Sequence, residues 1–402
     1  MSAPAPHLLF VVLDWGLGHA TRTLPLIEEA AKTMRVTVAS SGPALSWLRR
    51  HSSTFRFGTN AIECFEKPGT EVRYNARGGL LGQFTIASQL PRFVRSARLE
   101  QQWIHAFCAQ HGITHIVSDN CYGAWTPDLP CAIITHQLNP AVPHVLRPFS
   151  RRLIHRMLRP FKEIWIPDQA ANEAHFTRGG LLTGPMAAPL PSDAPRSKFL
   201  GPISRFGATS AGESCEAGDV KFPLVASVSG PAPHREKMET IVRSIFQRDG
   251  RPALILAGRP QYAQPSTTAQ PTSPEPAQRT DLNVTTLYDA TSAELQAAFQ
   301  QAHVLICRSG YSTLMDLVAL RTRAILVPTP GQPEQLQLAK MWGNEFNWPT
   351  CLQHQLENLH LEDFSRRTKR QDFESSPIDH YTPNFSRTLL DFSGMHSKNT
   401  LE

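Results

Sequence analysis

Short, almost uninterrupted apolar runs recur along this chain, each followed by a loop and then by helical spacing. The first series is HLLFVVLD (7–14), RVTVASS (35–41), ITHIVSD (113–119), CAIITHQ (131–137) and EIWIPD (163–168). The second is FPLVASVSG (222–230), ALILAG (253–258), NVTTLYD (283–289), AHVLICRSG (302–310) and RAILVPTP (323–330). A strand that is apolar on both faces needs cover on both, and alternating helices supply it. The pattern predicts two doubly wound parallel-sheet α/β domains. The proline-rich stretch GPMAAPLPSDAPRSKFLGP marks their join. The expected domains are 1–195 and 196–345, followed by a partly disordered extension, 346–402. A proline-rich segment at about 259–282 has little that could pack and is expected to be a disordered insertion.

Hydrophobic residues make up 41% of the 402 and charged residues 18%, which fits a soluble globular chain rather than a disordered or membrane-spanning one. The net charge of +6 is spread along the chain, not gathered in blocks. That favours anionic ligands or a membrane surface over nucleic acid. Seven cysteines, an odd number with no C-x-x-C, read as reduced thiols in a cytoplasmic protein. The apolar run Leu8 to Leu13 is too short for a signal peptide or a membrane span.

The first strand leads into LDWGLGHATRTLPL (13–26). A dinucleotide loop would carry a third glycine where Thr21 stands. It would also place an acidic residue at the end of the second strand, which instead reads Ala39, Ser40, Ser41. The loop offers Gly16, Gly18 and a histidine, His19, at the mouth of a helix. Leu24, Ile27, Ala31 and Met34 set the expected buried face of that helix. A helix N-terminus disfavours the imidazolium, and a neutral imidazole can take a proton from a hydroxyl. Asp119 ends another strand of the same domain, where it could orient His19. The alternatives are plain: His19 caps a helix, and Asp119 caps a turn.

In the second domain, CRSGYSTLMD turns at Ser309 and Gly310 and starts a helix near Ser312. Free N–H groups there suit a phosphate. Asp316, a turn further on, could accept both hydroxyls of a ribose, or it could be an ordinary solvated helix residue. Gln335, in VPTPGQPEQ, is available to hydroxyl groups. Ser229 and Gly230 could present N–H groups to a diphosphate. Arg205 could add charge or lie on the surface. HGITH (111–115), the nearest approach to a metal-ligand pair, is broken by Gly112, so no metal site is expected. Residues 146–165 combine Arg147, Arg151, Arg152, Arg156, Arg159 and Lys162 with Leu146, Phe149, Leu153, Met157 and Phe161 at helical spacing. Such a segment fits peripheral membrane contact, or a domain helix with a basic face.

Two such domains, with G-x-G-H in the first loop and R-S-G-x-S-T-x-x-D in the second domain, resemble the GT-B glycosyltransferases. Within them they resemble family 28, the group of the peptidoglycan N-acetylglucosaminyltransferase. The resemblance covers most of residues 8–345. It implies two Rossmann-like domains facing across a cleft, and transfer of a sugar from a nucleotide diphosphate, UDP-linked by family, to a hydroxyl acceptor. It further implies inversion, no metal or other cofactor, and a lipid-linked or glycan acceptor at the cytoplasmic face of the inner membrane. His19, paired with Asp119, would be the base. Arg205, Ser229, Gly230, Ser309, Gly310, Ser312, Thr313, Asp316 and Gln335 would hold the donor. Gly16, Gly18, His136, Gln137 and Asn139 would lie on the acceptor side. Leu17, SDNCYGAW and Gln137 depart from the family pattern and set the acceptor apart from the peptidoglycan lipid. Nucleotide-sugar 2-epimerases share the architecture, and so would a non-catalytic nucleotide-sugar-binding protein.

Overall fold

The computed structural model describes residues 5–52, 56–57, 60–69, 90–142, 144–171, 179–190, 192–206, 220–258, 278–362 and 385–395. The chain divides into two compact units. One holds the described N-terminal residues to Arg205 and the described C-terminal residues 385–395; the other holds the described residues between Phe206 and Glu362.

The first unit is built on a seven-stranded sheet in the order β5-β2-β1-β6-β7-β8-β9. Its strands are β1 (His7–Val12), β2 (Arg35–Ser40), β5 (Glu63–Glu66), β6 (His115–Asp119), β7 (Cys131–Ile134), β8 (Glu163–Ile166) and β9 (Ser197–Phe199). Every pairing in it is parallel. A small antiparallel pair, β3 (Arg56–Phe57) and β4 (Asn60–Ala61), stands apart from the sheet. Leu8, Phe10 and Val12 point to one face of β1 and Leu9 and Val11 to the other, each into its own core. That double burial is why the run reads as continuous apolar sequence.

Helices α1 (Leu17–Ala31), α2 (Gly42–Ser52), α3 (Leu90–His111) and α4 (Arg147–Leu158) connect the strands. The buried face of α1 is not quite the expected one. Leu26, Ile27, Ala30 and Ala31 are covered, Leu24 is only partly so, and Met34 lies beyond the helix end. Thr21, Arg22 and Thr23 are buried instead: Arg22 and Thr23 turn toward a carboxylate described below, and Thr21 Oγ1 donates to the Gly18 carbonyl at 3.1 Å.

The second unit has a six-stranded sheet in the order β12-β13-β11-β10-β14-β15. It comprises β10 (Leu224–Ser227), β11 (Ala253–Leu256), β12 (Gln278–Asp281), β13 (Val284–Leu287), β14 (Val304–Cys307) and β15 (Ile325–Leu326). All pairings are parallel except that of the edge strand β12. Helices α5 (His234–Asp249), α6 (Ser292–Gln301), α7 (Tyr311–Ala319) and α8 (Pro333–Glu345) follow the pattern. Thr291 and Glu294 close α6 with a reciprocal capping box, as the T-x-x-E spacing dictates.

Three expectations are corrected. The first unit runs past residue 195, because β9 sits inside the proline-rich stretch and completes its sheet. The insertion ends earlier than 282: Gln278–Asp281 form an edge strand, while 259–277 lie outside the described residues. The C-terminal extension ends in a further helix, α9 (Phe385–Phe392), which returns to the first unit. Its Leu389 and Phe392 join the core there, with Phe392 edge-on to Trp165 at 5.3 Å and to His115 at 5.4 Å.

Phe392→Ala is expected to lower the stability of the first unit by about 3–5 kcal/mol, the usual cost of emptying a buried phenyl site. Chemical unfolding followed on that unit's transition checks this; an unchanged midpoint would show that α9 is not part of its core.

Candidate functional site

In the first unit, β1 lies between β2 and β6, so the chain leaves β1 toward one side of the sheet and later returns on the other. Loops at such a reversal diverge and leave room for a ligand at the strand ends. Val12 and Asp119 are register partners there, and the N–H of Leu13 donates to the Asp119 carbonyl at 3.2 Å. The pairing therefore sets Asp119 beside the loop that carries His19.

Asp119 is fully buried and His19 is 17% exposed at its side chain. Nδ1 of His19 lies 3.1 Å from Asp119 Oδ1. Two other side chains share the carboxylate. Arg22 donates from Nε to Oδ2 at 2.8 Å and from Nη2 to Oδ1. Thr23 Oγ1 donates to Oδ2 at 2.7 Å. Burial alone would push the Asp119 carboxyl up, but the charges of Arg22 and His19 and their hydrogen bonds hold it well below the usual carboxylate range. Arg22 Nη2 also stands 2.9 Å from His19 Nδ1. A guanidinium only donates and a carboxylate only accepts, so the tautomer of His19 chooses between them. With the proton on Nδ1, His19 donates to Asp119 and keeps a lone pair on Nε2.

The loop after Asp119 is fixed from α3. Glu100 accepts from the N–H of Gly123 at 3.0 Å and from Lys67 Nζ at 2.8 Å. A Cβ on Gly123 would fall 2.1 Å from the Ala97 carbonyl oxygen, so only glycine allows this approach. Trp15, Phe93 and Tyr122, all half-buried, line up ring against ring beside the same loops. Of the expected acceptor-side residues, Gly16 caps α1 and Gly18 lies in its first turn. His136 is buried and Gln137 half-buried after β7. The Asn139 amide donates to the carbonyls of Pro185 at 3.0 Å and Ala188 at 2.7 Å, which commits it to holding that turn.

The second unit repeats the topology, with β10 between β11 and β14. Ser229 and Gly230 follow β10, and Ser309 and Gly310 follow β14, at the matching reversal. Gly310 caps α7 without a side-chain hydrogen bond, Ser312 and Thr313 stand half-buried in the first turn, and Asp316 is buried further along, not solvated. Gln335 is engaged within the protein: Oε1 accepts from the Thr329 N–H at 2.9 Å, and Nε2 donates to Gln332 Oε1 at 2.5 Å. Ser309 Oγ donates to the Gln335 carbonyl at 2.8 Å. Arg205 is the last residue of the first unit, not a residue of the second.

The sequence reading gave two arginines no role of their own. Arg22 is one. The spacing 19, 22, 23 is i, i+3, i+4, one helix face, and would have pointed to it. Arg308 is the other, only 1% exposed. It donates to the carbonyls of Ser229, His234, Val327 and Pro328 and to Gln353 Oε1, which ties the strand-end loops together. Burial pulls its guanidinium down to about 10. Among the described residues, no group of three or more His, Cys, Asp or Glu side chains is placed to hold a metal ion.

Residues 268–375 match the glycosyltransferase family 28 C-terminal domain, a span that includes Arg308, Asp316 and Gln335. By sequence alone, no curated protein matches the chain. Solved structures share its fold. MurG of Acinetobacter baumannii is 14% identical with a TM-score of 0.54, over 97% of this chain and 100% of that one. The spinosyn rhamnosyltransferase SpnG, complexed with thymidine diphosphate, is 13% identical with a TM-score of 0.54, over 97% and 95%. A UDP-glucosyltransferase from Polygonum tinctorium is 13% identical with a TM-score of 0.56, over 98% and 99%. The chain thus shares the two-domain GT-B fold of these structures, and its residues 268–375 match the family 28 C-terminal domain.

Asp119→Asn should leave the buried Arg22 charge short of its partner and cost about 3–5 kcal/mol at pH 7. The folded-state value of Asp119 is depressed, so its contribution is complete above the unfolded value of ~3.9 and declines as pH falls below that toward the folded value. Urea unfolding from pH 7 to 3 should show the gap between wild type and variant constant at first and then narrowing below about pH 4. A gap indifferent to pH would mean the carboxylate charge is not what Arg22 needs.

Proposed function

We propose that the chain is a glycosyltransferase that moves a sugar from a UDP-linked donor to a hydroxyl acceptor, with inversion and with His19 as base. The observation that carries the proposal is the His19–Asp119 contact at the strand-order reversal of the first unit. The acceptor hydroxyl gives its proton to Nε2 of His19 while its oxygen bonds to the anomeric carbon. The bond from that carbon to the diphosphate breaks, and the diphosphate leaves with the electron pair. Asp119, bonded at Nδ1, holds the ring in the required tautomer.

Donor binding belongs to the second unit in this reading, which contains the family 28 domain match. Asp316 would take the ribose hydroxyls. Ser229, Gly230, Ser309, Gly310, Ser312 and Thr313 would surround the diphosphate. The N–H groups at the start of α7 would stabilise the leaving charge without a metal. Gln335 would shape the sugar site through the loop it braces. That SpnG was solved with thymidine diphosphate and another fold relative is a UDP-glucosyltransferase supports a nucleoside diphosphate as leaving group. Gly16, Gly18, His136, Gln137 and Asn139 would form or support the acceptor side. The rings of Trp15, Phe93 and Tyr122 support an acceptor with an apolar part.

His19→Ala should lower kcat by about 10²–10⁴-fold, the usual worth of a positioned general base. The thermal shift produced by UDP-sugar should stay at its wild-type size, and activity should survive EDTA. Loss of the thermal shift along with activity would place His19 in donor binding instead.

The acceptor is further proposed to be met at the cytoplasmic face of a membrane. No described helix is long and apolar enough to cross one. The basic helix is shorter than the 146–165 segment, ending at Leu158 before β8 begins. At its start Val145 is 89% exposed and Phe149 62% exposed, beside the exposed Arg147, Arg151 and Arg152. Apolar side chains ringed by arginine suit an anionic lipid surface. Co-sedimentation with vesicles rich in anionic lipid should fall severalfold for the Val145→Ser/Phe149→Ser double variant, and in high salt. Equal sedimentation with neutral vesicles would sink the electrostatic part.

A further inference from the structure

The second unit contains a hydroxyl that the proposed chemistry leaves unused. Thr329 lies between β15 and α8 and is 2% exposed. Its backbone is fully engaged, with the N–H donating to Gln335 Oε1 and the carbonyl accepting from the Gln332 N–H at 3.1 Å. Its Oγ1 is buried without a hydrogen-bond partner among the described residues. Leaving such a group unsatisfied is destabilising. A valine would fill the same space without that cost, so the hydroxyl calls for an explanation.

Among the described residues, Thr329 Oγ1 is the one atom that borders the space a Gly230 side chain would take. A Cβ built on Gly230 would sit 3.5 Å from Thr329 Oγ1, and Gly230 has φ of +106°, where glycine is favoured. The two walls are pinned to one another. Arg308 donates to the Ser229 carbonyl at 3.4 Å on one side and to the Val327 and Pro328 carbonyls at 3.5 Å on the other. Ser309 reaches across to the Gln335 carbonyl, which ties in the uncapped start of α7. The potential in this corner is positive, from the Arg308 guanidinium behind it and from the N-terminus of α7. A hydroxyl can donate or accept; in a positive corner its natural partner is an anionic oxygen, to which it donates.

We infer that Thr329 binds the donor's diphosphate, donating its hydroxyl hydrogen to a phosphate oxygen held over Gly230. This rests on the donor-binding reading of the second unit given above. Thr329 is thereby a residue that distinguishes phosphorylated from unphosphorylated nucleoside.

The test compares Thr329→Val and Thr329→Ser with wild type, using UDP and uridine as probes in competition binding and unfolding without ligand. The valine variant should bind UDP about ten-fold more weakly, the worth of one hydrogen bond to a charged group. It should bind uridine like wild type, and serine should restore UDP binding. Without ligand, the valine variant should unfold at or above the wild-type temperature, since the orphan hydroxyl has gone. A valine variant that is less stable without ligand would make the hydroxyl structural and overturn the inference. So would unchanged UDP binding, or equal losses for UDP and uridine. Failure of wild type to bind UDP at all would instead bring down the donor reading on which the inference stands.

Discussion

An ionised carboxylate cut off from water needs donors and positive charge on every side, and Asp119 is such a group. Much of the first unit answers that need. The β1–β6 pairing puts the carboxylate at the loop. Helix α1 then turns Arg22 and Thr23 inward and leaves Leu24 partly uncovered. Glu100 and Lys67 hold the loop beyond it in place. The chemical consequence is that His19 has only a share of Asp119. Both carboxylate oxygens already accept from Arg22. What Asp119 gives the imidazole is orientation more than uncompensated charge.

The second unit is organised around a buried ion of the opposite sign. Arg308 is surrounded by main-chain carbonyls and one amide oxygen. Carbonyl dipoles satisfy its N–H groups without cancelling its charge, so the field reaches the loops that the guanidinium ties together. Only arginine carries enough donors in a rigid fork to reach segments at 229, 234, 327–328 and 353 at once; a lysine offers three on a single nitrogen. Structure and electrostatics are thus set by one side chain, and the backbone N–H groups at Gly310 and Gly230 lie in front of it.

Most of the architecture was legible because parallel strands buried on both faces leave an unmistakable sequence. The strands that escaped are those to which the argument does not apply. In β5, Cys64 and Phe65 are half-buried between exposed glutamates; β9 is three half-buried residues; β12 is a polar antiparallel edge. At the site, His19 and Asp119 were legible because a loop after one strand and the end of its neighbour must meet. Arg22 was not, because a lone arginine in a polar stretch reads as solvated until the fold shows what it faces; Arg308 was visible as the first residue of the R-S-G motif, but not its buried role in tying the loops together. Asn139 shows what a sequence position leaves out. The resemblance puts it on the acceptor side, and the structure adds that its amide donates to the Pro185 and Ala188 carbonyls. Motif position fixes where a side chain begins, not where its hydrogen bonds go.

The sharing of Asp119 bears on how the base would work. When Nε2 of His19 takes a proton, the imidazolium is drawn more strongly to Asp119 and repelled more strongly by Arg22, each about 3 Å from Nδ1. Its stabilisation is the difference between two large opposing contributions. A small displacement of Arg22 changes that difference far more than the same displacement would in a simple His–Asp pair. Arg22 is itself anchored to Asp119 through both its Nε and Nη2. The rigidity of that anchorage, set by α1 packing on the sheet, is therefore part of what would make His19 usable as a base.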